Sequence, residues 1–255
     1  MSTLGEATAP FAGLGRCALL LVACGRALLR PRDWIGALIV ETRRQAFDAL
    51  PLILLLSTLG GALISQQTGY QFQGNLPAWV VGSIVASSLV TEVTPLFVGL
   101  GLIGMVGTRI AAELGAMRVT EQIDALEVIG RDPVLYLVLP RVIATALIGP
   151  LVMSLALAAS MIMGWLAAVM VTNASTQDFW FGVRYYMRDF PMFFALIKGF
   201  AFGGAISFVA AFVGMQATGG SAGVGRNVKK AVVGMMLVMV ILDTAIAPLL
   251  KIIRI

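Results

Sequence analysis

Residues 142–171 read VIATALIGPLVMSLALAASMIMGWLAAVMV, a run of 30 residues without a charged side chain. A helix of about 20 apolar residues is long enough to cross a bilayer, where its backbone polar groups must be satisfied within the segment. The whole chain has the same character, because 59% of its 255 residues are hydrophobic and 12% are charged. Soluble domains carry about 25% charged residues. The composition therefore predicts an all-α, polytopic membrane protein.

Five apolar stretches are long enough to be transmembrane helices, and they cover about residues 49–65, 76–107, 133–171, 190–215 and 231–250. Asp132 and Pro133 are expected to begin the third, as a helix cap and a first-turn proline. With the N-terminus inside, 13 of the 18 Lys and Arg residues lie on the inner side, 4 lie outside, and Lys198 lies within a span. Because cytoplasmic loops carry the excess of basic residues, this count predicts an N-in, C-out topology.

The segment before the first span, residues 1–48, is predicted to be an N-terminal interfacial helical segment, followed by a membrane domain over residues 49–255. Asp33, Glu41, Arg44 and Asp48 follow one helical stripe, and apolar side chains lie opposite. This pattern is typical of an amphipathic helix lying in the inner interface. Cys17 and Cys24 are expected to be ordinary thiols on the reducing side.

Several classes of chemistry are excluded by composition. The chain contains no histidine, so imidazole metal sites and Ser-His-Asp triads cannot form within it. These histidine-dependent sites are excluded, and we expect neither catalytic residues nor a metal site in this chain.

Apart from Arg141, which lies near the inner end of the third stretch, three charged residues fall inside predicted spans: Glu92, Lys198 and Asp243. Each charge costs about 2.5–3.5 kcal/mol on insertion scales, so each is expected to face protein or water. Two interpretations stay open, a polar lining for a lipid headgroup or a proton, and a structural ion pair. The second is favoured for Lys198 and Asp243, whereas Glu92 fits both equally.

Residues 109–131, between the second and third spans, favour a helix with an acidic face. That face would carry Glu113, Met117, Thr120, Glu121, Asp124 and Glu127. It is either a solvated surface or a docking face for a soluble partner. An acidic face is unfavourable against the anionic inner leaflet, which favours the partner.

Glycines suggest two features. Gly199 and Gly203 form a small-xxx-small pair that lets helices approach closely. Residues 220–227 read GSAGVGRN, but a phosphate-binding P-loop needs Lys and Ser or Thr where Arg226 and Asn227 stand. The stretch is therefore predicted to be a glycine-rich inner loop, and ATP is not expected to bind to this chain.

Residues 111–127, AAELGAMRVTEQIDALE, followed by Asp132-Pro133 and Pro140-Arg141, resemble the signature of MlaE-type (YrbE-type) permeases. These are membrane subunits of ABC transporters that work with MCE proteins. Residues 216–226, QATGGSAGVGR, resemble the inner loop of that family, and residues 92–96, EVTPL, more weakly resemble its second span. The resemblance covers about residue 49 to the C-terminus.

The resemblance implies a non-enzymatic permease subunit, a homodimer in the bacterial inner membrane that moves phospholipid or related lipids. Its partners would be two cytoplasmic ABC ATPase subunits, which bind ATP and magnesium, and an MCE-domain protein on the periplasmic side. This chain would bind no cofactor and no nucleic acid.

The resemblance also implies which residues form the functional sites, where this sequence matches the motifs of the family. The lipid pocket would include Glu92, Val93, Pro95 and Leu96. ATPase coupling would involve Glu113, Met117, Arg118, Glu121, Gln122, Asp124 and Glu127. The inner loop would contain Gly219, Gly220, Gly223, Gly225 and Arg226.

The sequence departs from the family pattern near the pocket. Thr91 stands where the family commonly has Arg, and Thr94 stands where it commonly has Gly. A pocket with fewer cations would favour a less acidic lipid. Two other functions stay open: an ion-coupled secondary carrier that uses Glu92, Lys198 and Asp243, and a membrane scaffold that transports nothing.

Overall fold

The structure is a computed structural model that describes residues 3–71, 77–171, 175–187 and 191–253, and within these ranges it contains helices and no strand. The α-helices are α1 (Thr3–Ala27), α2 (Pro31–Gln71), α3 (Ala78–Ser88), α4 (Thr94–Leu102), α5 (Thr108–Val119), α6 (Gln122–Val128), α7 (Leu139–Val171), α8 (Thr176–Tyr186), α9 (Pro191–Gly214) and α10 (Gly220–Ile253). Three π-helical turns join or precede them: Leu89–Val93, Ile103–Gly107 and Val134–Val138. The predicted all-α class is confirmed.

Four helical stretches are long and apolar enough to cross a membrane: Asp33–Gln71, Trp79–Val119, Val134–Val171 and Pro191–Gly214. They contain the centres of the first four predicted spans, although residue 190, the predicted start of the fourth, lies outside the described residues. The predicted fifth span lies within α10, a helix of 34 residues, which is not among those four. The five-span count and the N-in, C-out topology therefore stay predictions.

The first span is continuous with the amphipathic segment before it. Helix α2 runs through residues 48 and 49, where the segment boundary was predicted, and Pro51 lies inside it. The chain turns earlier, at residues 28–30, after the end of α1. One continuous helix thus connects the predicted inner interface to the first predicted span.

Helix α1 packs against the π-helical turn that precedes α7. Cys24 is buried in this contact region and is a free thiol. Its burial, with a smaller contribution from the Asp132 carboxylate, raises the pKa of the Cys24 thiol to about 11. Since thiolate is the reactive form, Cys24 stays protonated and inert at neutral pH.

Helix α7 is the central element, because α2 and α9 pack along it. Glycines allow the close approach: a Cβ on Gly61 would overlap the carbonyl of Ser160, and a Cβ on Gly203 would overlap the carbonyl of Thr145. A Cβ on Gly199 would lie 2.8 Å from the carbonyl oxygen of Gly149. The small-residue packing predicted for Gly199 and Gly203 is therefore confirmed.

Candidate functional site

The three intramembrane charges meet at one place. Lys198 of α9 is 1% exposed, and its Nζ lies 2.7 Å from Asp243 Oδ1 of α10 and 3.7 Å from Glu92 Oε2. Lys198 Nζ and Asp243 Oδ1 form an ion pair, but its geometry does not meet the angles of a hydrogen bond. The structural ion pair, one of the two interpretations of these charges, is therefore present. It joins the second predicted span, α9 and α10.

Lys198 also satisfies a backbone carbonyl in the second span. Pro95 has no N–H, so the carbonyl of Thr91, four residues earlier, loses its helical donor. Lys198 Nζ donates to that carbonyl oxygen at 2.6 Å. The π-helical turn Leu89–Val93 lies directly before α4, whose second residue is Pro95. Such turns often occur at functional sites.

Glu92 is the member of this group that reaches the surface. Its side chain is 48% exposed, whereas those of Lys198 and Asp243 are 1% and 12% exposed. Of the other predicted pocket residues, Val93 and Leu96 are half-buried and Pro95 is buried. The arrangement can present one carboxylate, 3.7 Å from a buried cation, to a polar group outside the chain.

The predicted docking face is divided between two helices. Helix α5 ends at Val119 and α6 begins at Gln122, and Glu121 between them has a left-handed backbone with φ 59°. Glu121, Gln122 and Glu127 are exposed. These three side chains form what we call the acidic tip, and they remain candidates for contact with a soluble partner.

The remaining predicted docking residues have other contacts. Arg118 and Asp124 form an ion pair with each other. Met117 is half-buried and lines a cavity of about 360 Å³ together with Leu126 and Ile129. The Ile129 side chain is 67% exposed, so an apolar surface lies beside the acidic tip.

Glu113 lies apart from the acidic tip, in a cluster of charges that joins three helices. Its carboxylate is 2.8 Å from Arg44 of α2 and 3.3 Å from Arg141 of α7. Arg141 also lies 3.3 Å from Glu41 of α2, and Arg109 pairs with Asp48. We call this group the inner cluster, after the predicted topology. Sequence reasoning missed it, although the charges at the ends of three apolar runs were a usable signal.

We expect Glu113→Ala to lower the free energy of unfolding by about 1–3 kcal/mol, because it removes one carboxylate from the nearly buried Arg141. Thermal unfolding in detergent, followed by tryptophan fluorescence, measures the effect. Asp124→Ala is the control, since its pair with Arg118 is exposed and worth about 0–1 kcal/mol. Equal shifts of the two unfolding midpoints would contradict a structural role for the inner cluster.

The glycine-rich stretch is only partly a loop, which corrects the prediction. Gly219 and Gly220 have φ values of 83° and 67°, the left-handed backbone that glycine adopts at low cost. Helix α10 begins at Gly220, so Gly223, Gly225 and Arg226 lie in its first turns. A Cβ on Gly223 would overlap the carbonyl of Thr218, which explains glycine at that position.

Comparison with models of protein families shows to which family the chain belongs. The model of the family described as Permease MlaE matches residues 38–249. The chain belongs to the MlaE permease family. The match begins within α2 and ends near the end of α10, so the MlaE domain includes the three intramembrane charges, the inner cluster and the acidic tip.

Several relatives of this MlaE-family chain are named as transporter permeases. A protein of Rickettsia felis, "Probable ABC transporter permease protein", is 29% identical over 97% of this chain and 96% of its own length. A Synechocystis protein described in the same words is 31% identical over 76% of this chain and 74% of its own. The chloroplastic protein TRIGALACTOSYLDIACYLGLYCEROL 1 of Arabidopsis thaliana is 32% identical over 76% of this chain and 55% of its own.

Proposed function

We propose that this MlaE-family permease is the membrane subunit of an ATP-driven ABC transporter that moves phospholipid or a related lipid. The observation that carries the proposal is the half-exposed Glu92, which a buried Lys198 holds in the second span of a permease-family chain. Intramembrane ionisable groups commonly mark substrate paths. The plant relative named after a diacylglycerol lipid supports a lipid substrate.

The assembly that we propose is a homodimer in the bacterial inner membrane, with five spans, the N-terminus inside and the C-terminus outside. Exposed apolar side chains on the membrane helices, among them Leu151, Phe200 and Ile241, would face lipid or the second protomer. Two copies of Glu92 would then border a shared lipid pocket that opens towards an MCE-domain protein in the periplasm.

Coupling would begin at the acidic tip. Two cytoplasmic ATPase subunits would seat on Glu121, Gln122 and Glu127, and closure of the ATPase dimer would push on α5 and α6. The inner cluster would transmit the movement, because Glu113 connects α5 to Arg44 of α2 and to Arg141 of α7. Helices α2 and α7 would then tilt and change the access of lipid to Glu92.

Affinity purification from native membranes in mild detergent, followed by an ATPase assay, tests the proposal. We expect an ABC ATPase and an MCE-domain protein in stoichiometric amounts. A chain that purifies alone from stabilising detergent, without ATPase activity, would contradict it.

Two variants separate coupling from substrate contact. Glu121→Lys is expected to reduce the co-purified ATPase at least about tenfold, because reversing an interface charge commonly costs more than 1.4 kcal/mol. Glu92→Ala is expected to leave the ATPase bound and to abolish lipid transfer between vesicles. Asp178→Lys, an equal charge change in α8, is the control. Intact docking in Glu121→Lys would remove this residue from the interface, and a transport-active Glu92→Ala would favour a scaffold.

An ion-coupled secondary carrier is the second candidate, favoured by the ion pairs of Lys198 with Asp243 and Glu92. Such a carrier would lose transport when the proton gradient is removed and would be insensitive to ATP. Reconstituted vesicles with and without each energy source distinguish the two functions.

A further inference from the structure

A groove between the end of α1 and the start of the third apolar run has no part in the proposed transport. Its volume is about 510 Å³, within the range of about 300–1,000 Å³ for small-molecule sites. Its lining includes two arginines, one aspartate and apolar side chains: Arg26, Arg30, Asp132, Leu19, Val22 and Leu135. The lining therefore combines a net positive charge with apolar side chains.

The two arginines are free to bind an anion. Both are exposed, and among the residues that the structure describes neither forms an ion pair. The Asp132 carboxylate also lines the groove, and its Oδ1 accepts a hydrogen bond from the Val134 N–H at 2.9 Å. Two arginines and one aspartate leave the lining with one net positive charge. Guanidinium groups present paired donors that match the oxygens of a phosphate.

The position of the groove indicates a lipid and not a free phosphate. Asp132 lies two residues before the apolar run Val134–Val171, so the arginines lie near the membrane surface, at the depth of headgroups. The walls continue as apolar surface, with Leu19 69% and Val22 52% exposed. A soluble phosphate would use the arginines and leave these walls in contact with water, whereas an acyl chain would cover them.

We propose that this groove binds one anionic phospholipid from the surrounding leaflet. The phosphate lies between Arg26 and Arg30, and the first part of an acyl chain lies along Leu19, Val22 and Leu135. Basic sites between membrane helices are a known way of binding anionic headgroups. This lipid is held and not transported, and it fastens α1 to the start of the third apolar run.

Native mass spectrometry of the full chain tests the site, in mixed micelles with equal amounts of phosphatidylglycerol and phosphatidylcholine. The unmodified chain is expected to retain phosphatidylglycerol at least about tenfold over phosphatidylcholine. Arg26→Gln/Arg30→Gln is expected to lower that retention about tenfold. Arg43→Gln/Lys230→Gln loses the same charge at exposed positions outside the groove, and it is expected to change retention less than about twofold.

The proposal would be overturned by equal retention of the two lipids by the unmodified chain, by unchanged retention in the arginine variant, or by an equal loss in the control. Arg26→Lys/Arg30→Lys is expected to retain more phosphatidylglycerol than the glutamine variant, because the charge remains, and less than the unmodified chain, because the paired donors are lost. Excess glycerol phosphate is expected to leave the lipid in place, and displacement would indicate a phosphate site without a lipid. A lipid at Glu92 would respond to Glu92→Ala and not to these arginines, so the result is independent of transport.

Discussion

Lys198→Met is expected to lower the free energy of unfolding by about 3–5 kcal/mol, because it leaves a buried carboxylate without its cation. The Asp243 side chain is 12% exposed, and its ion pair with Lys198 measures 2.7 Å. The same substitution removes the donor to the Thr91 carbonyl, and an orphaned carbonyl in an apolar interior is unfavourable. Denaturant titration of the detergent-solubilised chain, followed by tryptophan fluorescence, measures the change.

A second variant distinguishes loss of the partner from loss of packing. In Lys198→Met/Asp243→Leu the unpaired carboxylate is absent, so about half or more of the lost stability is expected to return. Lys230→Met, at an exposed position of α10, is the control and is expected to stay within about 0.5 kcal/mol of the unmodified chain. If the double variant is less stable than Lys198→Met, the ion pair does not explain the effect.

Gly149→Leu is expected to destabilise the chain by about 3 kcal/mol or more and to lower the yield of monodisperse protein. A Cβ at this position would overlap the carbonyl oxygen of Gly199, so α7 and α9 could not keep their present separation. Overpacking of a close-packed interior commonly costs about 1–3 kcal/mol, and here the obstacle is backbone, which cannot rotate away. Fluorescence-detected size exclusion after heating measures the loss.

Gly36→Leu is the matched control, because Gly36 is also within a helix and a Cβ there has nothing within 4 Å. Leucine favours a helix over glycine by about 0.5–1 kcal/mol, so this variant is expected to be as stable as the unmodified chain or more stable. Equal losses in the two variants would show that the bulk of leucine, and not the contact between α7 and α9, is responsible.

The spans were predictable because their signal is local. The charge-free run from residue 142 to residue 171 indicates by its length and composition that a helix spans the membrane there. Helix α7 covers this run. The break at Glu121 was not predictable, because residues 118–122, RVTEQ, contain neither glycine nor proline. A single residue adopts the left-handed backbone there, and the surrounding contacts decide that local choice.

The sequence predicted which residues belong to the site, but not that they contact one another. Charges inside apolar runs identify Glu92, Lys198 and Asp243 one at a time, but their meeting depends on how the second span, α9 and α10 pack. The donor to the Thr91 carbonyl lies 107 residues away in sequence, beyond any local pattern. Glu113 was assigned to the docking face for the same reason, since its partners Arg44 and Arg141 come from other helices.

The π-helical turns change the direction in which side chains point along the second span. An α-helix rotates by about 100° per residue, and each π turn inserts one residue beyond the α-helical count. The segments Leu89–Val93 and Ile103–Gly107 therefore shift the angular position of every following side chain, twice within one span. A helical wheel drawn continuously from Trp79 to Val119 assigns residues to the wrong sides. A substitution scan along it would give three separate periodic patterns, each regular within one α-helical piece and offset from the next.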